Sequence, residues 1–142
     1  MKNITVLVDT NVLLDYLTTR KPYFDEEYAI LLMCVEEKIN GYVAFHSIPD
    51  IYYILRKTYD AGTRREMLLG ICNILTVTGA SHESVISAVK NDMFKDLEDC
   101  LQDKCATEIS ADYIITRNIS DYQKYVCKAI TPKQFLDITG QL

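Results

Sequence analysis

Six acidic or amide side chains of this sequence stand where apolar runs end or where amphipathic runs begin. They are Asp9, Asp50, Asp96, Asp99, Asn118 and Asp121. Oxygen ligands without histidine favour Mg²⁺ or Mn²⁺ over zinc, and several carboxylates at one place would repel each other without a cation. A cation bound there supports hydrolysis of a phosphodiester. These residue types therefore predict a metal-assisted hydrolase.

Asp9 has the clearest structural setting of the six. It follows the run Val6-Leu7-Val8, and an amphipathic helical pattern begins immediately after it. This arrangement is typical of a buried parallel strand whose carboxyl end faces a crevice, where α/β proteins bind their ligands. Taken alone, Asp9 or Thr10 could equally be the N-cap of the helix that follows.

Strand-like and helix-like patterns alternate along all 142 residues. The predicted strands are Lys2–Val8, Tyr42–Phe45, Leu75–Val77 and Tyr113–Thr116, with Tyr125–Ala129 as a short edge strand. Helical spacing of apolar residues fills the segments between them. This alternation predicts one domain of the α/β class, a three-layer α/β/α fold with a central parallel sheet of four to five strands flanked by helices.

The later acids also have purely structural interpretations. Ser47 could cap a helix in which Asp50 completes a capping box. Asp96 and Asp99, at spacing i, i+3, could share a face of a helix predicted over Phe94–Thr107, or be acids favoured by its N-terminal dipole. Asp121 could cap a turn.

Other acids are predicted to be structural. Asp112 precedes the fourth strand and therefore belongs to a turn at the opposite edge of the sheet. Six further acids fall in or near helices with basic neighbours, and we expect them to be solvated: Asp15, Asp25, Glu26, Glu27, Glu36 and Glu37. Among the basic residues, Arg117 and the pair Arg20-Lys21 lie on predicted loops near the site, where contact with phosphate is more credible.

Composition excludes several classes of protein. Twenty acids against fifteen bases give a net charge of −5, which argues against binding nucleic acid by charge alone. No apolar run is long enough for a membrane helix, and the N-terminus passes directly into the first strand without room for a signal peptide. We expect a cytoplasmic protein. The five cysteines form no CxxC pair and are predicted to be reduced thiols. Neither His46 nor His82 has other metal-ligand residues near it in the sequence, so we expect no zinc site.

Four blocks of the sequence resemble the PIN-domain nucleases, particularly the VapC-type toxins of toxin–antitoxin pairs. The blocks are Val8-Asp9-Thr10-Asn11-Val12-Leu13-Leu14-Asp15, Ile48-Pro49-Asp50-Ile51-Tyr52-Tyr53-Ile54, Asp96-Leu97-Glu98-Asp99-Cys100-Leu101-Gln102 and Ala111-Asp112-Tyr113-Ile114-Ile115-Thr116-Arg117-Asn118-Ile119-Ser120-Asp121-Tyr122. Their order and spacing cover nearly the whole chain.

The resemblance implies a Mg²⁺- or Mn²⁺-dependent ribonuclease that is often dimeric and is inhibited by a small antitoxin. By position, Asp9 is the first metal ligand, Asp99 the third acid with Asp96 as a companion, and Asn118 and Asp121 share the fourth position. Asp50 stands where the family commonly has glutamate. The resemblance assigns metal binding to Asp9, Asp96, Asp99 and Asp121, and substrate contact to Thr10, Asn11, Thr116 and Arg117.

Two other functions are compatible with acids at strand ends. A binding module on the same fold, for nucleic acid or protein, would need no catalysis, and the shorter Asp50 and the neutral Asn118 favour it. A receiver-like phosphoacceptor domain is disfavoured because Asp9 is followed by Thr10 instead of a second acid.

Overall fold

The computed structural model describes residues 3–92, 96–122 and 126–140. Its five strands are β1 (Thr5–Val8), β2 (Asn40–Ala44), β3 (Thr76–Thr78), β4 (Tyr113–Ile115) and β5 (Ala129–Ile130). They form one sheet in the order β3-β2-β1-β4-β5, and every neighbouring pair is parallel. The predicted parallel α/β sheet is confirmed.

Helices cover both faces of this sheet. They are α1 (Thr10–Leu17), α2 (Phe24–Val35), α3 (Ser47–Ile54), α4 (Ala61–Ile74), α5 (His82–Lys90), α6 (Leu97–Glu108) and α7 (Pro132–Thr139), with short 3-10 turns at Leu55–Lys57 and Ile119–Tyr122. Helices α1 to α4 and α7 contribute to one hydrophobic cluster, and α6 contributes to a second one. Helix α5 packs on α6. The three predicted layers are therefore present.

Residues alternate between the two clusters along the strands. Val6 and Val8 of β1 belong to the larger cluster, whereas Leu7 between them belongs to the smaller one. All four residues of β1 are buried. Successive strand side chains point to opposite faces, so a strand covered on both faces must be apolar throughout. This requirement explains the continuous apolar run that precedes Asp9.

The central position of β1 creates the crevice. The chain passes from β1 to β2 on one side, and β4 later pairs with the other side of β1. The carboxyl end of β1 therefore lies at the point where the strand order reverses, which is where open α/β sheets bind ligands. Asp112 lies at the opposite edge, as predicted, and its Oδ2 accepts the Thr5 N–H at 2.8 Å.

Several local predictions need correction. The first strand begins at Thr5 instead of Lys2, and Tyr125, predicted to begin the last strand, lies outside the described residues. Helix α4 is capped by Asp60, whose side chain accepts the Thr63 N–H. Leu97, the first residue of α6, is 48% exposed.

None of the helices in the described ranges is long and apolar enough to cross a membrane. The five cysteines are free thiols, of which Cys72 alone is exposed, in agreement with the sequence prediction.

We predict that Gly41→Ala destabilises the protein by about 1–3 kcal/mol, because the added methyl group would overpack the core. A Cβ at this position of β2 would lie 2.5 Å from Cys34 Sγ and 2.6 Å from Leu75 Cδ2. Urea denaturation measures the change. The matched control is Gly70→Ala in α4, where nothing lies within 4 Å of the added carbon. That variant should gain about 0.5–1 kcal/mol through helix propensity, and equal effects of both substitutions would contradict the packing argument.

Candidate active site

Asp9 lies at the centre of the site. It caps α1 through Oδ1, which accepts the Thr10 N–H at 2.8 Å, while Oδ2 accepts hydrogen bonds from Thr116 Oγ1 at 2.8 Å and the Tyr122 hydroxyl at 3.1 Å. Burial raises the pKa of Asp9, and these three hydrogen bonds act in the opposite direction. The helix-cap interpretation of Asp9 is therefore confirmed, and its role as a site residue stays a prediction.

The turn after β4 reaches the site through Thr116. The Thr116 hydroxyl that donates to Asp9 also accepts the Asn118 N–H at 3.1 Å and Asn11 Nδ2 at 3.4 Å. Asn118 thus contributes its backbone to this network, while its side chain is exposed. Asp121 lies in the 3-10 turn, but its side chain is outside what the structure describes.

Asp99 is joined to Asp9 by a tyrosine. The Tyr122 hydroxyl lies 3.2 Å from Asp99 Oδ1 and 3.1 Å from Asp9 Oδ2. Tyr122 is 3% exposed, and burial together with the two neighbouring carboxylates raises its pKa far above the ordinary value. The first and third acids of the predicted set therefore share one hydroxyl group.

Asp50 pairs with a residue that the sequence analysis did not select. A hydrogen bond between the Asp50 and Glu98 side chains is the main reason that the pKa of Glu98 rises to about 8, with burial and the charges of Asp50, Asp96 and Asp9 adding to it. Two carboxyl groups so close together hold a proton because both cannot ionise without strong repulsion. Asp50 thus faces the acids of α6.

Asp96 does not share a helical face with Asp99, contrary to the prediction. It precedes α6 as its N-cap, and its Oδ1 accepts the N–H groups of Glu98 at 2.8 Å and Asp99 at 3.4 Å. Its side chain is exposed, although its charge still reaches Glu98.

His46 lies nearer to acidic side chains than its place in the sequence indicated. Burial lowers the pKa of its ring, while a hydrogen bond to the Glu98 backbone carbonyl and the charges of Asp50 and Asp9 act in the opposite direction. The ring therefore lies at the border of the acid cluster.

A buried hydrogen-bond triad holds α1, α3 and α6 together beside these acids. Thr10 Oγ1 and Ser47 Oγ share a hydrogen bond of 2.7 Å, and Gln102 Nε2 donates to Ser47 at 2.9 Å and to Thr10 at 3.3 Å. The predicted capping box of Ser47 and Asp50 is wrong, because Ser47 is buried inside the domain and makes no cap hydrogen bond. Its hydroxyl finds better partners across the fold.

Arg117 contacts a second acidic group, which contains Asp15 and Glu27. Its Nε lies 2.6 Å from Asp15 Oδ2, and its guanidinium stacks over the Tyr23 ring at 4.7 Å. Asp15 and Glu27 are buried, so the prediction that they are solvated is wrong. Burial, assisted by the neighbouring Asp15, raises the pKa of Glu27 to about 9, so that Glu27 is neutral at pH 7.

The acid cluster supplies the ligand chemistry that a hard divalent cation requires. Asp9, Asp50, Glu98 and Asp99 offer carboxylate oxygens in one place, and the hydrogen bond to Asp50, burial and the neighbouring negative charges all raise the pKa of Glu98. Within residues 3–92, 96–122 and 126–140, however, no three acidic, histidine or cysteine side chains stand in a ready metal-binding arrangement. The donor types fit a hard cation, and binding it would require these side chains to rearrange.

Of the six residues first selected, the structure brings Asp9, Asp50 and Asp99 together. The functional candidates missed at that stage are Glu98, Gln102 and Tyr122. Gln102 follows Glu98 and Asp99 by four and three residues, so helical periodicity could have placed it on their face. No local pattern marks the Tyr122 hydroxyl, because its partners are 113 and 23 residues away.

Comparison with known proteins identifies the family. Residues 5–120 match the family model of the PIN domain, so the chain belongs to the PIN-domain family, as its sequence blocks indicated. PIN-domain relatives of this kind are nucleases. No curated protein matches the sequence.

Solved structures agree with this assignment. VapBC2 from Rickettsia felis, bound to a promoter DNA fragment, matches with a TM-score of 0.69 and 14% identity over 90% of this chain and 98% of that one. VapBC-1 from nontypeable Haemophilus influenzae matches with a TM-score of 0.67 and 13% identity, over 92% of this chain and 99% of that one. Mycobacterium tuberculosis VapC20, a toxin that cleaves the sarcin–ricin loop, matches with a TM-score of 0.64 and 8% identity, over 85% of this chain and 96% of that one. At these identities the likeness establishes the fold.

We predict that stability falls as pH rises from about 5 to 9 and that Glu27→Gln removes this contribution. In the unfolded chain Glu27 has its ordinary pKa of 4.5, whereas folding raises this pKa to about 9. Between these two pH values the native state therefore binds one proton more than the unfolded state. Glutamine is neutral at every pH, and the variant should be more stable than the wild type at about pH 8. Urea denaturation across this range measures the slope.

The matched control is Asp25→Asn, which removes an exposed acid from the first turn of α2 and leaves Glu27 and the charges around it in place. It should keep the wild-type pH slope. An unchanged slope in Glu27→Gln would show that another group holds the proton.

Proposed function

We propose that this protein is a Mg²⁺- or Mn²⁺-dependent endoribonuclease that hydrolyses phosphodiester bonds of RNA and is the toxin of a toxin–antitoxin pair. The observation that carries the proposal is the meeting of Asp9, Asp50, Glu98 and Asp99 at the carboxyl end of the central strand. Membership of the PIN-domain family supports the nuclease class.

Asp9, Asp99 and Asp50 are the proposed ligands of the cation, with Glu98 within reach. Asp96, Asp121 and Asn118 remain further candidates from the sequence, of which Asp96 already caps α6. The cation would neutralise charge on the scissile phosphate and favour ionisation of the attacking water. A carboxylate not used as a ligand would orient that water and accept its proton. The Glu98–Asp50 pair has the proton-binding character that this step needs.

Thr10, Asn11, Thr116 and Arg117 are the proposed substrate-contact residues. Thr10 already shares a hydrogen bond with Ser47, and Thr116 already donates one to Asp9. Asn11 Oδ1 is buried without a hydrogen-bond partner among the described residues, which leaves an acceptor for a substrate hydroxyl or amino group. The Arg117 side chain is 21% exposed and uses Nε for Asp15, so phosphate would meet its terminal nitrogens.

A small antitoxin is the proposed protein partner. Structures similar to this chain include VapBC2 and FitAB, both of them complexes bound to DNA fragments. By the same reasoning we propose that the protein is a cytoplasmic homodimer. The antitoxin blocks its acid site until the antitoxin is released. Mass determination in solution, alone and after co-expression with the product of the neighbouring reading frame, tests both associations.

A binding module without catalysis is the second candidate. The lack of a ready three-ligand arrangement among the described residues, the short Asp50 and the exposed, neutral Asn118 favour it. It predicts RNA or protein binding that does not depend on a divalent cation.

We predict that the purified protein cleaves RNA with Mg²⁺ or Mn²⁺ and stops when the cation is chelated. Asp9→Asn and Asp99→Asn should each lower the rate by about 100-fold or more, because each removes a charge that holds the cation. The measurement is cleavage of a panel of single-stranded and structured RNAs, with circular dichroism to verify folding.

The control variant is Asp25→Asn, an exposed acid at the start of α2, which should cleave at the wild-type rate. A folded, inhibitor-free protein that neither cleaves RNA nor binds Mn²⁺ would leave the binding module as the better description. Cleavage that survives both substitutions would place the active site elsewhere.

A further inference from the structure

Tyr122 occupies the space between the two acids that the proposed function assigns to one cation. Its hydroxyl oxygen lies 3.1 Å from Asp9 Oδ2 and 3.2 Å from Asp99 Oδ1. A Mg²⁺ ion bound to both carboxylates would need each oxygen at about 2.0–2.1 Å. The hydroxyl and a shared cation therefore compete for the gap between the same two oxygens.

The tyrosine ring is held firmly in this place. Tyr122 is 3% exposed and packs in the smaller hydrophobic cluster with Leu7, Cys105 and Ile114. Because the ring packs in this cluster, moving the hydroxyl away from the acids would also shift the turn that carries it. Its position is therefore set by the fold as well as by its hydrogen bonds.

The Tyr122 hydroxyl can replace only part of what a cation would do between Asp9 and Asp99. A tyrosine hydroxyl has one proton to donate, whereas two carboxylates stand against it. Asp9 is 6% exposed and poorly hydrated, so its charge depends on such donors. Asp9 also accepts hydrogen bonds from the Thr10 N–H and the Thr116 hydroxyl, yet the Tyr122 proton brings less positive charge between the two acids than a divalent cation would.

We propose that Tyr122 is a positioning residue that holds Asp9 and Asp99 together in the cation-free protein and competes with the divalent cation for them. The inference rests on the proposed metal-dependent function. Binding a cation would break at least one of the two hydrogen bonds, so the hydroxyl would set the affinity of the site. The protein would then keep its acids in place and fill the site only when the cation concentration is high enough.

The test is Tyr122→Phe, which removes the hydroxyl and keeps the ring. We expect the variant to bind Mn²⁺ about ten-fold more tightly than the wild type, since ten-fold is the scale of one hydrogen bond to a charged group. The cation-free variant should melt at a lower temperature, because two carboxylates lose a donor, and Mn²⁺ should raise its melting temperature more than that of the wild type. Calorimetric titration with Mn²⁺ and thermal melts with and without chelator provide these readouts.

The control is Tyr113→Phe, at the amino end of β4, where the ring packs edge-on against Phe135. It should leave the affinity for Mn²⁺ unchanged. If the wild type binds Mn²⁺ and cleaves RNA but Tyr122→Phe binds Mn²⁺ equally or more weakly, the competition is overturned while the nuclease proposal stands. If neither the wild type nor Tyr122→Phe binds Mn²⁺, the metal-dependent function fails, and the inference fails with it.

Discussion

The burial of the Asp9 carboxylate at the end of the central strand is the constraint that the site depends on. A buried charge is costly unless hydrogen bonds or a counter-ion compensate it. Here the donors come from the Thr10 backbone, Thr116 and Tyr122, which belong to α1, the end of β4 and the 3-10 turn. Compensating one carboxylate therefore determines how three separate segments of the chain meet.

Two polar clusters of different character meet the turn after β4, one at Thr116 and the other at Arg117. On the Asp9 side several acids lie close together, and a tyrosine hydroxyl forms hydrogen bonds with two of them. On the other side Arg117 balances Asp15, and Glu27 is neutral. The Arg117–Asp15 ion pair anchors the turn after β4, whereas hydrogen bonds from Thr116 and Tyr122 hold the acids on the other side.

The comparisons show how little sequence identity this architecture requires. Relatives with 8% to 14% identity superpose with TM-scores of 0.64 to 0.69. A strand such as β1 needs apolar residues on both faces, and many combinations of aliphatic side chains meet that need. The Asp9 position is more restricted, because few side chains can cap a helix and offer a second oxygen to the crevice.

Local patterns in the sequence were sufficient for the alternation of strands and helices, for the buried β1 and for the place of Asp9 at its end. These features depend on residues close together in the chain, whose spacing determines which face is apolar. The roles of Ser47, Glu27 and Tyr122 were decided by tertiary structure. Ser47 had a good local partner as a cap, yet its hydroxyl bonds across the fold to Thr10 and Gln102. Only packing determines which distant groups share a low-dielectric interior, where an unpaired polar atom is costly.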